Sequence, residues 1–392
     1  MKLGFTMKNT EFDFESVIDR NNTNCLKWDC FDDDLPMWVA DMDFKVAPAI
    51  EKAILKRAMH PIYGYSIVPD ELFESYINWW NRRYDFKMLK EDMLYSIGIM
   101  PSISSMIRCL TDVGDDILIQ SPVYHVFYYV IEENNRKILE NELIYENGKY
   151  IIDFDDLDEK LSKVKMMILC NPHNPIGKTW SKKDLFKIGQ LCTKHNVILI
   201  SDEIHCDLTD PDIKYNPFEI SSNHKKAITC LSPSKSFNVA GFKSSIVHTK
   251  NKELFEKIKM QLHVDNSDSC NVFATSTVIA AYNDSEEWLE ELKKILFENK
   301  RFVQNYLKEE LPIIRLVECD ATYLLWLDCS SLNISSNELS EYLRFNQGLF
   351  LSAGSDFGKN GAGFLRMNIA CPKKLLKEGL ERLKAGIISL NI

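Results

Sequence analysis

No two cysteines in this sequence are spaced as a CxxC pair, although 392 residues carry eleven of them. An odd, scattered set of thiols, several inside apolar runs (Cys109, Cys170, Cys230), reads as small hydrophobes in a reducing, cytoplasmic compartment. The eight histidines complete no zinc pattern, and the neighbours His205 and Cys206 are badly spaced for one tetrahedral site, so no metal is expected. No apolar stretch approaches the about 18 residues of a membrane-spanning helix. Residues 1–14 lack an apolar core, which argues against a secretory signal. Clustered positive charge is missing too. The net charge is −10, and there is no basic tail or helix-turn-helix extension, which argues against nucleic acid or an anionic membrane as a partner. There is no internal repeat and no low-complexity linker.

Two nucleotide signatures are incomplete. Gly177-Lys178-Thr179 resembles the end of a phosphate loop, but Pro172 stands where its first glycine belongs. Gly361-Ala362-Gly363 resembles a dinucleotide fingerprint, but Arg366 replaces the third glycine, far from any first strand-to-helix turn.

What is present is a soluble balance of 45% hydrophobic and 27% charged residues, in a chain long enough for two domains. Short apolar runs predict strands at Met93–Ile97, Asp116–Ile119, Lys165–Cys170, Val197–Ile200 and Ala227–Leu231. Helical patterns intervene, one through Ile103, Met106, Ile107 and Leu110. Another holds Leu185, Ile188 and Leu191, opened by Ser181 and Asp184 as a capping box. Continuous apolar strands between helices imply a parallel sheet covered on both faces, which binds ligands at the carboxyl ends of its strands. After residue 284, Trp288, Leu292, Ile295, Leu296, Phe302, Val303, Tyr306 and Leu307 predict one long amphipathic helix joining two domains. A smaller strand-and-helix region follows from Ile313.

Polar motifs close those strands. Asn171-Pro172-His173-Asn174-Pro175 ends one and Ser201-Asp202-Glu203-Ile204-His205 the next. Ser232-Pro233-Ser234-Lys235-Ser236 ends a third, with Lys243 eight residues on. A lone lysine is ordinarily a solvated charge, Asn-Pro-x-x-Pro is ordinarily a turn, and an aspartate can simply cap a helix. Together they suit a phosphorylated pyridine cofactor. A lysine can bind it covalently, an aspartate can pair with its ring nitrogen, an asparagine can donate to its ring oxygen, and hydroxyls with Lys243 can meet its phosphate.

These residues resemble the fold-type I, pyridoxal 5′-phosphate (PLP) dependent enzymes of the aminotransferase superfamily. More narrowly they resemble the MalY/PatB group of cystathionine β-lyases, or C–S lyases. The narrower likeness rests on Pro36-Met37-Trp38-Val39-Ala40-Asp41-Met42-Asp43-Phe44, on His60-Pro61-Ile62-Tyr63-Gly64-Tyr65-Ser66, and on Gly363-Phe364-Leu365-Arg366-Met367-Asn368-Ile369-Ala370-Cys371-Pro372.

The resemblance implies an α/β fold. A large PLP-binding domain over residues 46–284 would hold a mostly parallel seven-stranded sheet, and residues 1–45 with 285–392 would form a smaller α+β domain. Lys235 would carry the cofactor as a Schiff base, Asp202 would pair with the ring nitrogen, Asn174 would contact the ring hydroxyl and Tyr124 would stack on the ring. The amides of Ile99 and Met100, with Ser232 and Lys243, would bind phosphate, and Tyr65 would reach it from the second subunit of a homodimer. Arg366 would grip the substrate carboxylate, beside Tyr124 and Asn174. Two positions depart from the superfamily pattern: Lys243 where arginine is frequent, and His205, beside the ring, where tyrosine is frequent. The implied reaction is α,β-elimination from a sulfur amino acid, cystathionine, cysteine or cystine, to a thiol (homocysteine from cystathionine), pyruvate and ammonia. An amino-acid aminotransferase would use nearly the same residues. A regulatory or binding protein on the same scaffold is a reading from another class.

Overall fold

The structure is a computed structural model that describes residues 12–30 and 34–390. Most of the residue 1–14 segment read for a secretory signal, and parts of the 1–45 segment, therefore lie outside the described residues. Seven strands form one sheet: β1 (Met93–Ser96), β2 (Asp116–Ile119), β3 (Lys137–Glu140), β4 (Met166–Cys170), β5 (Ile198–Asp202), β6 (Ala227–Leu231) and β7 (Ser245–His248). Their order is β1-β7-β6-β5-β4-β2-β3. Only β7 runs antiparallel to its neighbours; the remaining pairings are parallel. This is the mostly parallel seven-stranded sheet that the resemblance implied.

The apolar runs follow from the sheet having two covered faces. Along β4, Met166, Ile168 and Cys170 join one apolar cluster with Ile103, Met106 and Ile258. Met167 and Leu169 point the other way, into a cluster with Leu185 and Ile188. The pleat sends alternate side chains to opposite faces, so a sheet buried on both faces makes its central strands mostly apolar; the polar exceptions include Thr229 within β6 and Ser201-Asp202 at the end of β5. Two strands have no such run. β3 lies at the sheet edge and reads Lys-Ile-Leu-Glu, and β7 begins and ends on buried polar residues.

Helix α1 (Ile99–Leu110) follows β1 directly, and α2 (Lys182–Lys194) follows β4. Ser181 caps α2 by accepting the Asp184 amide at 3.1 Å. The expected capping box is only half present. The Asp184 carboxylate takes the Ser181 hydroxyl at 2.6 Å and does not reach the Ser181 amide. Aspartate is one methylene shorter than the glutamate this motif uses. A complete box stands at Ser335 and Glu338.

A second, antiparallel sheet holds β8 (Arg315–Leu316), β9 (Leu324–Asp328), β10 (Ser352–Ala353) and β11 (Phe364–Asn368) in the order β8-β9-β11-β10. The long helix is α3 (Glu286–Glu310), 25 residues that bury Trp288, Leu292, Leu296, Val303 and Leu307. Ile295, Phe302 and Tyr306 pack partly buried against the same core. No helix of the described residues is long and apolar enough to cross a membrane.

One buried amide ties α3 to the chain beyond β11. Asn299 Nδ2 donates to the carbonyls of Ile369 and Cys371, both at 3.0 Å. Asn299→Leu keeps the size but strands two buried acceptors. The expected loss is about 2 kcal/mol or more, read as a lower urea midpoint; an unchanged midpoint would show that water satisfies both carbonyls.

Candidate active site

The carboxyl ends of β4, β5 and β6 open into a cavity of about 330 Å³, within the range of small-ligand pockets. The structure brings Ile99, Met100, Tyr124, Asn174, Asp202, His205, Ser232, Lys235 and Lys243 to its walls. Parallel strands make this convergence a consequence of topology, because neighbouring strands end at the same edge. Asp202 is the last residue of β5, opposite Cys170, the last of β4. Burial raises its carboxyl to about 7, against the opposing pull of the Ile204 amide, which donates to it at 3.1 Å, and of the Lys235 charge. Burial likewise lowers Lys235 to about 8, with Asp41 and Asp202 opposing and Arg366 reinforcing the shift. Burial lowers His205 to about 3, helped by Lys235 and Arg366, so its ring is neutral, and its buried Nδ1 has no partner. The Tyr124 hydroxyl is pushed up, chiefly by burial.

Arg366 lies outside the cavity lining proper but is bonded to it. Its Nη1 donates to Asn174 Oδ1 at 3.1 Å, and its Nη2 donates to the Trp38 carbonyl at 2.8 Å. Phe357 lies 4.6 Å beneath the guanidinium. Arginine only donates, so this contact fixes the Asn174 oxygen toward Arg366 and leaves the Asn174 NH₂ as a donor. Arg366 is buried, its Nε has no partner, and no described carboxylate pairs with it. A buried guanidinium without a counter-ion is costly, and an anionic ligand would relieve that cost.

Another part of the cavity wall, where α1 begins, also offers groups to an anion. Gly98, at φ +145°, turns the chain from β1 into α1, and no side chain caps that helix. Pro101 has no N–H and Ser102 donates to Gly98, so Ile99 and Met100 carry the free amides of the first turn. Lys243 sits on the rim with a left-handed backbone at φ +48°. Ser232 is less available than its position suggests. Its hydroxyl donates to the Ser244 carbonyl at 2.7 Å and accepts the Ser234 amide at 3.2 Å. Tyr65 is fully exposed and does not line the cavity.

Three features escaped the sequence reading. The Ala40 carbonyl accepts both the Lys235 ammonium at 2.5 Å and the Tyr323 hydroxyl at 3.0 Å. Tyr323 itself is buried beside His205, ring centroids 6.2 Å apart. Asp207 accepts from Trp79 Nε1 at 3.0 Å, from the Tyr84 hydroxyl, and from Ser236, the neighbour of Lys235, at 3.1 Å. A backbone acceptor leaves no sequence signal. Asp207 could have been sought only as an acid five residues beyond Asp202. Gly177, one of the sequence decoys, serves a turn. It has φ +64°, and a Cβ there would lie 2.8 Å from the Ala321 carbonyl oxygen.

This donor set fits a phosphorylated pyridine aldehyde: an amine, a buried carboxylate, a free amide NH₂, two free main-chain N–H groups and a rim cation. The comparisons agree. The model of the aminotransferase class I and II family matches residues 38–383. Cystathionine β-lyase PatB of Bacillus subtilis (strain 168) is 37% identical over 384 residues, 95% of this chain and 99% of the relative. A PLP-bound structure from Clostridium difficile 630, provisionally described as an aminotransferase, superposes with TM-score 0.94 at 40% identity, covering 96% of this chain and 100% of that one. The PLP-bound C–S lyase of Staphylococcus hominis superposes with TM-score 0.91 at 31% identity, covering 97% and 99%.

Asp202 carries a stability signature. Unfolded, it ionises near 3.8; folded, near 7. Between those values the folded chain holds a proton that the unfolded chain has lost, so stability falls as pH rises through that window. Asp202→Asn removes the effect. The cofactor-free wild type should lose about 2 kcal/mol or more relative to the variant between about pH 5 and pH 8, read from urea unfolding. A difference that does not change with pH would contradict a buried, proton-holding Asp202.

Proposed function

The chain belongs to the aminotransferase class I and II family and, within it, to the fold-type I, PLP-dependent C–S lyase group; on that premise we propose that, taking up one water, it splits L-cystathionine, or cysteine or cystine, into a product bearing a free S–H, pyruvate and ammonia. The observation that carries the reading is the cavity that Lys235, Asp202 and Asn174 share with the counter-ion-free Arg366 bonded at its edge. PLP, when bound, supplies an electron sink for negative charge at the substrate Cα.

The chain's own groups would do the rest. Lys235 would hold the cofactor covalently, Asp202 would accept the pyridine N–H, and the Asn174 NH₂ would donate to the ring oxygen. Tyr124 covers the ring. The amides of Ile99 and Met100 would meet the phosphate, together with Lys243, and Ser232 would join them on turning its hydroxyl away from the Ser244 carbonyl. Arg366 receives the substrate carboxylate in the fork its unpaired Nε leaves open. Lys235 Nζ, once free, takes the Cα proton and returns it to the departing sulfur. Its lowered proton affinity suits both directions of transfer near neutral pH. Neutral His205 keeps a second positive charge away from that amine.

Purified, PLP-loaded protein should release pyruvate from L-cystathionine, and Lys235→Ala should lower that rate by about 10³-fold or more while leaving the fold intact. Absence of pyruvate, with a 2-oxo acid consumed instead, would replace the lyase by the aminotransferase.

A homodimer, with Tyr65 reaching the partner's phosphate site, is part of the proposal. It is supported by the exposed segment that holds Met59, Ile62, Tyr63, Tyr65 and Ile67. So are the division into 46–284 and 1–45 with 285–392, supported by the two separate sheets, and a cytoplasmic location, supported by eleven free cysteines. Tyr65→Ala and Lys235→Ala chains, each inactive alone, should recover about a quarter of wild-type activity when co-assembled, from the one intact site of each hybrid. No recovery on mixing would remove Tyr65 from the partner's site.

A further inference from the structure

Residues 37–44 form a strap that reaches the cavity at Ala40; the buried side chains of Met37, Met42 and Phe44 seat it in the core, and several of its other anchors are backbone groups. Arg366 donates to Trp38 O. Asn368 Nδ2 donates to Val39 O and Asp41 O, both at 2.6 Å. Asn238, three residues after Lys235, accepts the Met42 amide at 3.0 Å and donates to the Met42 carbonyl at 2.9 Å. Between these anchors the Ala40 carbonyl meets the Lys235 ammonium.

The two carboxylates of the strap are clamped from the other side, by the segment that precedes it. Arg20 straddles them, with Nη2 to Asp41 at 2.8 Å and Nη1 to Asp43 at 2.7 Å. Lys27, itself buried, pairs with Asp43 at 2.6 Å and lies 3.5 Å from Asp41. Trp28 Nε1 completes the set with a 2.9 Å bond to Asp43. Two buried or half-buried cations thus balance two carboxylates one and three residues beyond Ala40, whose carbonyl Lys235 touches. Such a cluster is more than a surface ion pair needs, since exposed pairs contribute little.

We propose that Arg20 and Lys27 are positioning residues for Lys235: through Asp41 and Asp43 they hold the Ala40 carbonyl against the Lys235 nitrogen and offset the Asp41 charge that faces it. The inference rests on Lys235 being the reacting lysine, but it concerns the free amine and is tested without turnover. The charged and titratable groups that act on that amine are Asp41 of the strap, Asp202 of β5, His205 of the following turn and Arg366 of β11. Asp41 is the strongest of those that favour the proton on Lys235. Without its cationic partners its pull on that proton is unopposed, and the free amine becomes scarcer.

The test is competitive acetylation of the full-length, cofactor-free chain near pH 8, where Lys235 titrates, with each lysine's labelling rate read by mass spectrometry. Lys300, buried elsewhere and paired with Asp210 at 2.6 Å, reports general loosening. Arg20→Gln should label Lys235 at least about threefold more slowly than wild type with Lys300 unchanged. Arg20→Lys, which keeps the charge, should restore most of the rate. Equal or faster labelling of Lys235 in Arg20→Gln, or a parallel change at Lys300, overturns the proposal. If Arg20→Gln does not fold, Asp41→Asn decides alone. It removes the carboxylate itself and should speed Lys235 labelling by a similar factor, and no change would refute the role. Loss of the lyase reading would show as absent pyruvate and would leave these labelling rates untouched.

Discussion

The Lys235 ammonium and the Asp202 carboxylate share one desolvated cavity at the ends of β6 and β5, and burial pulls their proton affinities toward each other, to about 8 and about 7. In water an amine and a carboxylate titrate far apart and exchange no protons of use at neutral pH. Here each is held near the pH at which it can give or take one. The rest of the molecule maintains that condition. The sheet covered on both faces delivers the two strand ends side by side. The strap closes over the amine, and the second sheet brings in Arg366 on β11.

Charge placement in the cavity follows the same logic. Arg366 is buried without a counter-ion, and the free amides at the start of α1 line the cavity. These are two anion-seeking features around a pocket whose walls also hold a carboxylate and an amine. That set of groups suits a ligand pair with two anionic parts, a phosphate and a carboxylate. A neutral His205 in the same cavity avoids adding to Arg366 a second positive charge acting on Lys235. The energetic cost of keeping Asp202 and Arg366 buried is offset by apolar packing elsewhere, in the clusters on either face of the sheet and in the larger one around α3 and the second sheet.

Much of this was legible in the sequence, for identifiable reasons. The central strands are mostly apolar because both faces are covered, so β2, β4, β5 and β6 stood out, and so did the polar residues at or just beyond their carboxyl ends. The long helix α3 showed its eight apolar positions at helical spacing. Edge strand β3 and the polar-bounded β7 gave no such signal. Contacts through the backbone gave none either. Nothing in the residues themselves says that Ala40 offers its carbonyl to Lys235, or that Arg20 and Lys27 reach Asp41 and Asp43. The opening motif was readable only as a family likeness. Its physical content, a strap bonded by Arg366, Asn368, Asn238 and Lys235, comes from tertiary structure. Tyr65 is the reverse case: conspicuous in its motif, yet without a place in the site of its own chain.

The central claim is that Lys235, among the many lysines of this chain, is the one that binds the cofactor covalently. Borohydride reduction of the PLP-loaded protein followed by peptide mapping tests it directly. The account predicts a single phosphopyridoxyl adduct, on the peptide that contains Lys235. An adduct on Lys243 or another lysine, or none, would contradict it.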